Sequence, residues 1–359
     1  MKILTVVGAR PQFIKAAPVS RVLRRQHTEV LVHTGQHYDT MMSAVFFDEL
    51  HIPQPDYNLG IGSGPHGAQT GAMLASIEQV LLAEQPDGVL VYGDTNSTLA
   101  GALSAAKLNV PIAHVEAGLR SFNRRMPEEI NRLLTDHLAR WLFCPTQTAV
   151  DNLQAEGLTN GVWQVGDVMV DALNYNLSIA QSRPGVWSRL ADLSETGSYY
   201  LVTLHRPRNT DDPARLATIL RALEELDWPV ILPAHPRTVR AIEAAGLEVL
   251  SNVRIIPPVS YLDMLALEAN ACRILTDSGG VQKEAYLVGV PCVTLREETE
   301  WVETVEAGWN QLVGADPVAI RAAVGSPRPE GPRSALFGDG KASQHIVRVL
   351  TDEGLNDRK

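Results

Sequence analysis

Short, continuous runs of Val, Ile and Leu alternate with longer segments of helical period along most of the chain. In the first half the runs are Lys2–Val7, Glu29–His33, Gly88–Tyr92, Pro111–Val115, Trp141–Cys144 and Val162–Val165. In the second half they are Tyr199–Leu204, Val230–Pro233, Val253–Ile256, Arg273–Leu275 and Cys292–Leu295, with a weaker run at Gln311–Val313. A continuous apolar run marks a parallel strand covered on both faces, whereas a strand with one wet face would alternate. Stretches such as Asn96–Leu108 and Ala214–Leu226 have the length and pattern of crossover helices. The alternation, repeated in two halves, predicts an α/β fold of two Rossmann-like, doubly wound domains. The break falls near Gly166–Val170, and Gly325–Gly340, rich in Pro and Gly, reads as a loop. Lys341–Leu350 has the pattern of a terminal amphipathic helix. The expected division is therefore residues 1–166, residues 167–339, and a helix within 340–359 packing back on the first domain.

Composition narrows the function classes. A chain of 359 residues exceeds what one core usually serves, which agrees with two domains. A hydrophobic content of 45% and a charged content of 20% fit an ordinary globular protein. The net charge of −10 argues against nucleic acid as a partner. No apolar run approaches the roughly 18 residues that span a bilayer, so no membrane partner is expected. Ile3–Val7 is too short for a signal sequence, and a cytoplasmic location is the simplest expectation. Cys144, Cys272 and Cys292 lie in or beside strand-like runs without metal or redox spacing, and read as buried free thiols.

Ligands of open parallel sheets bind beyond the carboxyl ends of strands, and polar residues recur at those ends here. In Thr276-Asp277-Ser278-Gly279-Gly280 a strand runs into a Ser-Gly-Gly turn and a helix start. Such a turn aims free N–H groups outward and suits a phosphate, with Glu284 one turn on able to accept sugar hydroxyls. A tight turn with no ligand would show the same local pattern. Arg10 and Lys15 follow the first run and place positive charge at a helix start, the wrong sign unless an anion sits between them. Asp94 and Glu116 follow two further runs; the first could be only a helix cap, the second only a partner of Arg120 or His114. Two carboxylates at neighbouring strand ends would also serve acid–base chemistry, because repulsion and burial separate their pKa values. Glu128 lies in a first helical turn after Pro127. His205 and His235 end strands of the second half, each open to a packed or a functional role.

Several signals are discounted. Gly62-Ser63-Gly64-Pro65-His66-Gly67 has dinucleotide spacing, but Pro65 interrupts it and no convincing strand precedes it. His33 and His37 are separated by Gly35, so a loop rather than a metal site is expected. There is no H-E-x-x-H, no G-x-S-x-G and no Walker phosphate loop.

Taken together, these segments resemble the non-hydrolysing UDP-N-acetylglucosamine 2-epimerases over nearly the whole chain. The resemblance rests on Gly8-Ala9-Arg10-Pro11 with Lys15, Thr34-Gly35-Gln36-His37, Gly93-Asp94-Thr95, His114-Val115-Glu116-Ala117-Gly118-Leu119-Arg120, Pro127-Glu128-Glu129, His205-Arg206 and Thr276-Asp277-Ser278-Gly279-Gly280. It implies two Rossmann-like domains facing across a cleft in the glycosyltransferase-B arrangement, a homodimer, and no metal or redox cofactor. It implies interconversion of UDP-GlcNAc and UDP-ManNAc by elimination of UDP to 2-acetamidoglucal, then re-addition. By the same resemblance Asp94, Glu116 and Glu128 would handle protons, and His205 would also be catalytic. Arg10, Lys15, His205, Ser278, Gly279 and Gly280 would hold the diphosphate, His235 would join the binding residues, and Glu284 would hold the ribose.

Thr299-Glu300-Trp301-Val302-Glu303 departs from the Thr-Glu-Arg-Pro-Glu associated with many members, which leaves open a modified UDP-sugar such as a 2,3-diacetamido uronic acid. A glycosyltransferase or a nucleotide-sugar sensor would use the same nucleotide end, but neither gives a reason for three carboxylates in the first domain.

Overall fold

A computed structural model describes residues 1–36, 47–48, 51–182, 185–188, 190, 199–246, 252–330 and 333–356. The chain divides into two compact units, Met1–Asn174 with Ala335–Lys359, and Tyr175–Ser334.

The first unit is built on β1 (Lys2–Val7), β2 (Thr28–His33), β3 (Tyr57–Asn58), β4 (Gly88–Tyr92), β5 (Ile112–Val115), β6 (Trp141–Cys144) and β7 (Val162–Gln164). They form one parallel sheet in the order β3-β2-β1-β4-β5-β6-β7. The second unit holds β8 (Tyr200–Thr203), β9 (Val230–Pro233), β10 (Val253–Ile256), β11 (Arg273–Thr276), β12 (Cys292–Thr294) and β13 (Asn310–Leu312). Its sheet is also parallel, in the order β10-β9-β8-β11-β12-β13. Both sheets reverse their winding once, between β1 and β4 and between β8 and β11. Both units are therefore doubly wound, and each has a crevice at its switch point where ligands bind in such folds. The apolar runs predicted from the pattern are these strands, apart from small shifts at their ends. The two-residue β3 was not anticipated, since Tyr57-Asn58 is too short for a periodic signal.

The strands are central because their side chains are covered on both faces. Leu4, Val6, Val32, Val89 and Val91 pack with Met73, Ile77 and Ala102 in the first unit. Val202, Leu232, Leu275 and Val293 pack with Leu216, Ile219 and Ile320 in the second. Burying each such side chain contributes roughly 1.5–3 kcal/mol. Helix starts follow the sequence rules for the first turn. Pro127, Pro213, Pro236 and Pro317 open helices, where a missing N–H costs nothing. Thr95, Thr146 and Ser260 cap others through their side-chain oxygens, and Asp212 caps the helix that Pro213 opens.

The C-terminal helix, Ala342–Asn356, packs along the helix Arg10–Leu23. Asp171 accepts the N–H groups of Ala342 and Ser343 at 3.1 and 3.0 Å, which fixes the start of that helix. The ring of His27 meets the Thr351 hydroxyl at 2.8 Å. Cys144 and Cys292 are buried and Cys272 half-buried, all as free thiols. Among the described residues no helix is long and apolar enough to cross a membrane.

Candidate active site

At the switch point of the first unit, Gly8 and Gly93 end β1 and β4. A side chain on Gly8 would strike the hydroxyls of Ser97 and Thr34 at 2.1 Å, so only glycine lets the strand end pass there. Gln12 ties the two strand ends together. Its carbonyl accepts the N–H groups of Gly8 and Ala9 at 2.8 and 3.0 Å, and its amide donates to the Tyr92 carbonyl at 2.9 Å.

Glu116 follows β5 with φ of 73°, a left-handed conformation uncommon for a residue with a Cβ. Such backbones cost roughly 1–3 kcal/mol and persist where surrounding contacts over-determine them. Here the N–H groups of Glu116 and Ala117 both donate to the Phe143 carbonyl, at 3.0 and 3.1 Å. The Glu116 side chain is buried and forms an ion pair with the Lys15 ammonium. Arg120 and His114 are the partners that the sequence suggested. Both are engaged by Asp136, which meets His114 Nδ1 and Arg120 Nη1 at 2.7 Å each and accepts the Gly118 N–H at 3.1 Å. Burial alone would raise the Asp136 carboxyl, but His114 and Arg120 outweigh it and hold it below the ordinary range. His114 Nε2 in turn meets the Gly93 carbonyl at 2.7 Å, so one buried chain braces the ends of β4 and β5.

Asp94 is not the helix cap; Thr95 is, accepting the Thr98 N–H. Asp94 instead receives Arg132 through Nε and Nη2 at 2.9 and 2.7 Å, while Asn131 donates to its carbonyl at 2.9 Å. Glu128 stands three and four residues before these two, on the same helix face. It is half-buried and has no polar partner among the described residues. Its neighbour Glu129 is anchored by Ser121, Phe122 and Arg132. Burial pushes the Glu129 carboxyl up, and these donors more than reverse it. One carboxylate of the Glu-Glu pair is thus structural and the other is available. Arg10 opens its helix, and its side chain, like His37, lies outside what is described.

At the switch point of the second unit, His205 follows β8 and Ser278 follows β11. Between them lies Asp277, fully buried, meeting His205 Nδ1 at 2.8 Å and accepting the Arg206 N–H and the Asn209 amide at 3.0 Å each. Burial opposes its charge, yet these donors hold its carboxyl below the ordinary range. The His205 side chain is 53% exposed. Ser278 caps the helix Gly279–Val288. Gly279 and Gly280 have ordinary backbones, and a Cβ on either would meet nothing nearer than 3.5 Å. The fold therefore leaves open space over this helix start without itself requiring glycine. Trp301 Nε1 and Glu300 border that space, and the Lys283 ammonium lies 3.9 Å from the Trp301 ring centre. Glu284 is buried one turn along the helix. His235 caps its own helix, with Nδ1 accepting the Arg237 N–H at 3.2 Å.

Asp136, Arg132, Glu129 and Asp277 were not singled out from the sequence as positioning groups. No sequence signal marked the first three, because the helix Pro127–Leu138 buries Glu129, Arg132 and Asp136 while exposing Ile130 and Leu134, the reverse of what its pattern predicts. Among the described residues no group of three or more His, Cys, Asp or Glu side chains could hold a metal ion.

Comparison with known proteins shows the family. The sequence profile of UDP-N-acetylglucosamine 2-epimerase matches residues 21–351. The chain is 54% identical to a UDP-N-acetylglucosamine 2-epimerase homolog of Methanococcus maripaludis, over 98% of this chain and 99% of the relative. It is 52% identical to the UDP-2,3-diacetamido-2,3-dideoxy-D-glucuronate 2-epimerase of Pseudomonas aeruginosa, with the same coverage of 98% and 99%. Among solved structures it resembles the Methanocaldococcus jannaschii UDP-GlcNAc 2-epimerase in complex with UDP-GlcNAc and UDP, with a TM-score of 0.91 and 46% identity, covering 98% of this chain and 100% of that one. The chain belongs to the UDP-N-acetylglucosamine 2-epimerase family.

Proposed function

We propose that this chain interconverts UDP-GlcNAc and UDP-ManNAc by eliminating and re-adding UDP. The C2 proton is not next to a carbonyl, so direct abstraction faces a high barrier. Breaking the C1–oxygen bond first sends its electron pair away with UDP and builds positive character at C1, which acidifies C2–H. A carboxylate then takes that proton, leaving 2-acetamidoglucal with a double bond between C1 and C2. Return of a proton to C2 on the opposite face, with attack of a UDP oxygen on C1, gives the epimer.

The observation that carries this reading is the pair Gly279 and Gly280, glycines at a helix start that the fold does not itself need. Their free N–H groups and the helix dipole suit a diphosphate, whose leaving charge fixed donors stabilise. Arg10, Lys15 and His205 add positive or donating groups, and His235 joins the binding residues. Glu284 accepts the ribose hydroxyls. Asp94, Glu116 and Glu128 handle the protons, each from a different environment: Arg132 at the first, Lys15 at the second, and at the third no polar partner among the described residues. Glu116 is released for proton work when substrate phosphate competes for the Lys15 ammonium.

A second substrate is favoured by one relative, the Pseudomonas aeruginosa enzyme that acts on a diacetamido uronate. Trp301 and the buried Lys283 beside the helix start are where such a difference would be read. A panel of UDP-GlcNAc and UDP-2,3-diacetamido uronic acid, followed by NMR, tests both: an epimer from UDP-GlcNAc supports the main reading. Turnover of the uronate alone would replace it, and turnover of neither would remove it. Assembly as a homodimer is proposed with it, and light scattering at the mass of one chain would contradict that part.

A further inference from the structure

Glu268 lies near the end of the helix Tyr261–Asn270, which packs against the helix Gly279–Val288. Its side chain is fully buried, and among the described residues neither carboxyl oxygen has a hydrogen-bond donor. A carboxylate left so would carry its full desolvation cost. The group within hydrogen-bonding reach is another carboxyl, that of Glu284, itself 5% exposed. Among the described residues, no Lys, Arg or His joins Glu284 in acting on the Glu268 charge. Tyr199 and Cys292 also face it, and burial holds both neutral; the Tyr199 hydroxyl donates elsewhere, to the Leu267 carbonyl at 2.5 Å. Two buried acceptors facing each other make a hydrogen bond only if one of them carries a proton. Burial, followed by the charge of Glu284, pushes the Glu268 carboxyl well above the ordinary range.

We propose that Glu268 is a neutral carboxylic acid that donates its proton to Glu284 and so fixes the Glu284 carboxylate for the ribose hydroxyls. Glu268 is then a positioning residue for the nucleotide, and the proposal rests on the reading of Glu284 as the ribose acceptor. The donated bond occupies one lone pair of Glu284 and locks its plane. Its remaining lone pairs then meet two vicinal hydroxyls without losing rotamer freedom on binding.

Calorimetric titration of the full chain with UDP and with 2′-deoxy-UDP tests it. Glu268→Leu is expected to weaken UDP about tenfold, roughly the worth of one hydrogen bond to a charged group. The same variant should bind 2′-deoxy-UDP about as the parent does, with an unchanged or higher Tm. Glu268→Gln, which keeps a donor, should stay within about threefold for UDP. Infrared spectra give a readout that does not depend on the apolar variant folding: a protonated-carboxyl band at neutral pH, absent in Glu268→Gln. Absence of that band from the parent would overturn the proposal. Unchanged UDP affinity in Glu268→Leu, with a loss in Glu284→Gln, would overturn it and leave the ribose reading standing. If Glu284→Gln itself binds UDP normally, the ribose reading falls and this proposal falls with it.

Discussion

His205 presents Nδ1 to the buried carboxylate of Asp277 at 2.8 Å, and the same carboxylate accepts the backbone N–H of His205 at 3.2 Å. The pairing places a proton on Nδ1 and turns Nε2 outward, a tautomer set by the neighbour rather than by the ring. Asp277→Asn keeps the shape but removes the charge and offers an amide donor to the ring. We expect turnover to fall about 10²-fold, the scale of a misplaced acid–base group, with the circular dichroism spectrum retained. Turnover close to the parent's would show that His205 needs no orientation.

The adjacent residues Glu128 and Glu129 should separate in their effects. Glu128→Gln, like Asp94→Asn and Glu116→Gln, is expected to lower kcat by about 10²-fold or more with little change in Tm. Glu129→Gln removes the charge that Arg132 meets and turns one of the two acceptor oxygens into a donor facing backbone N–H or Arg132, so it should lower stability by roughly 1–3 kcal/mol. Urea unfolding and initial rates on the four variants decide it; a large loss of Tm in Glu128→Gln would contradict the assignment.

Asp136 gives a pH prediction. Its folded pKa lies below the unfolded value of 3.8, so its contribution is present above that value and is lost as pH falls through the folded pKa. The chain should therefore lose stability as pH drops below about 4. Asp136→Asn, which leaves Arg120 and His114 with a poorer partner, should cost about 3–5 kcal/mol at pH 7. Near pH 3 the difference from the parent should shrink. Urea midpoints at the two pH values measure this, and a difference that grows in acid would contradict it.

Gly279→Ala and Gly280→Ala should leave stability within about 1 kcal/mol of the parent, because a methyl group meets no close neighbour at either position. KM for the UDP-sugar should nevertheless rise about tenfold or more, since the methyl occupies the diphosphate's approach. Unaltered KM in both would argue that no phosphate comes to this backbone.

Much of this architecture was legible from pattern alone. Runs such as Gly88–Tyr92 and Cys292–Leu295 are continuous because both faces are covered, and that continuity distinguishes parallel strands from half-exposed ones. The candidate site was drawn from strand-end residues, since Asp94, Glu116, His205 and Ser278 each follow an apolar run. Partnerships were not. Lys15 lies 101 residues before Glu116, and only the adjacency of β1, β4 and β5 in the sheet brings them together. The helix Pro127–Leu138 hides its role for a different reason. Its periodicity locates two faces, but polar Arg132 and Asp136 turn inward while Leu134 turns out, the reverse of the usual rule. Glu268 was silent because a glutamate in an apolar helix looks like a solvent-facing position until its burial is known.

The most direct test of hydrogen exchange at the sugar is incubation with UDP-GlcNAc in D₂O, with the product read by NMR. UDP-ManNAc carrying deuterium at C2 is predicted, because the proton removed there exchanges with solvent on a carboxylic acid before the opposite face is protonated. UDP-ManNAc that retains its original C2 hydrogen throughout would contradict elimination and re-addition through these carboxylates.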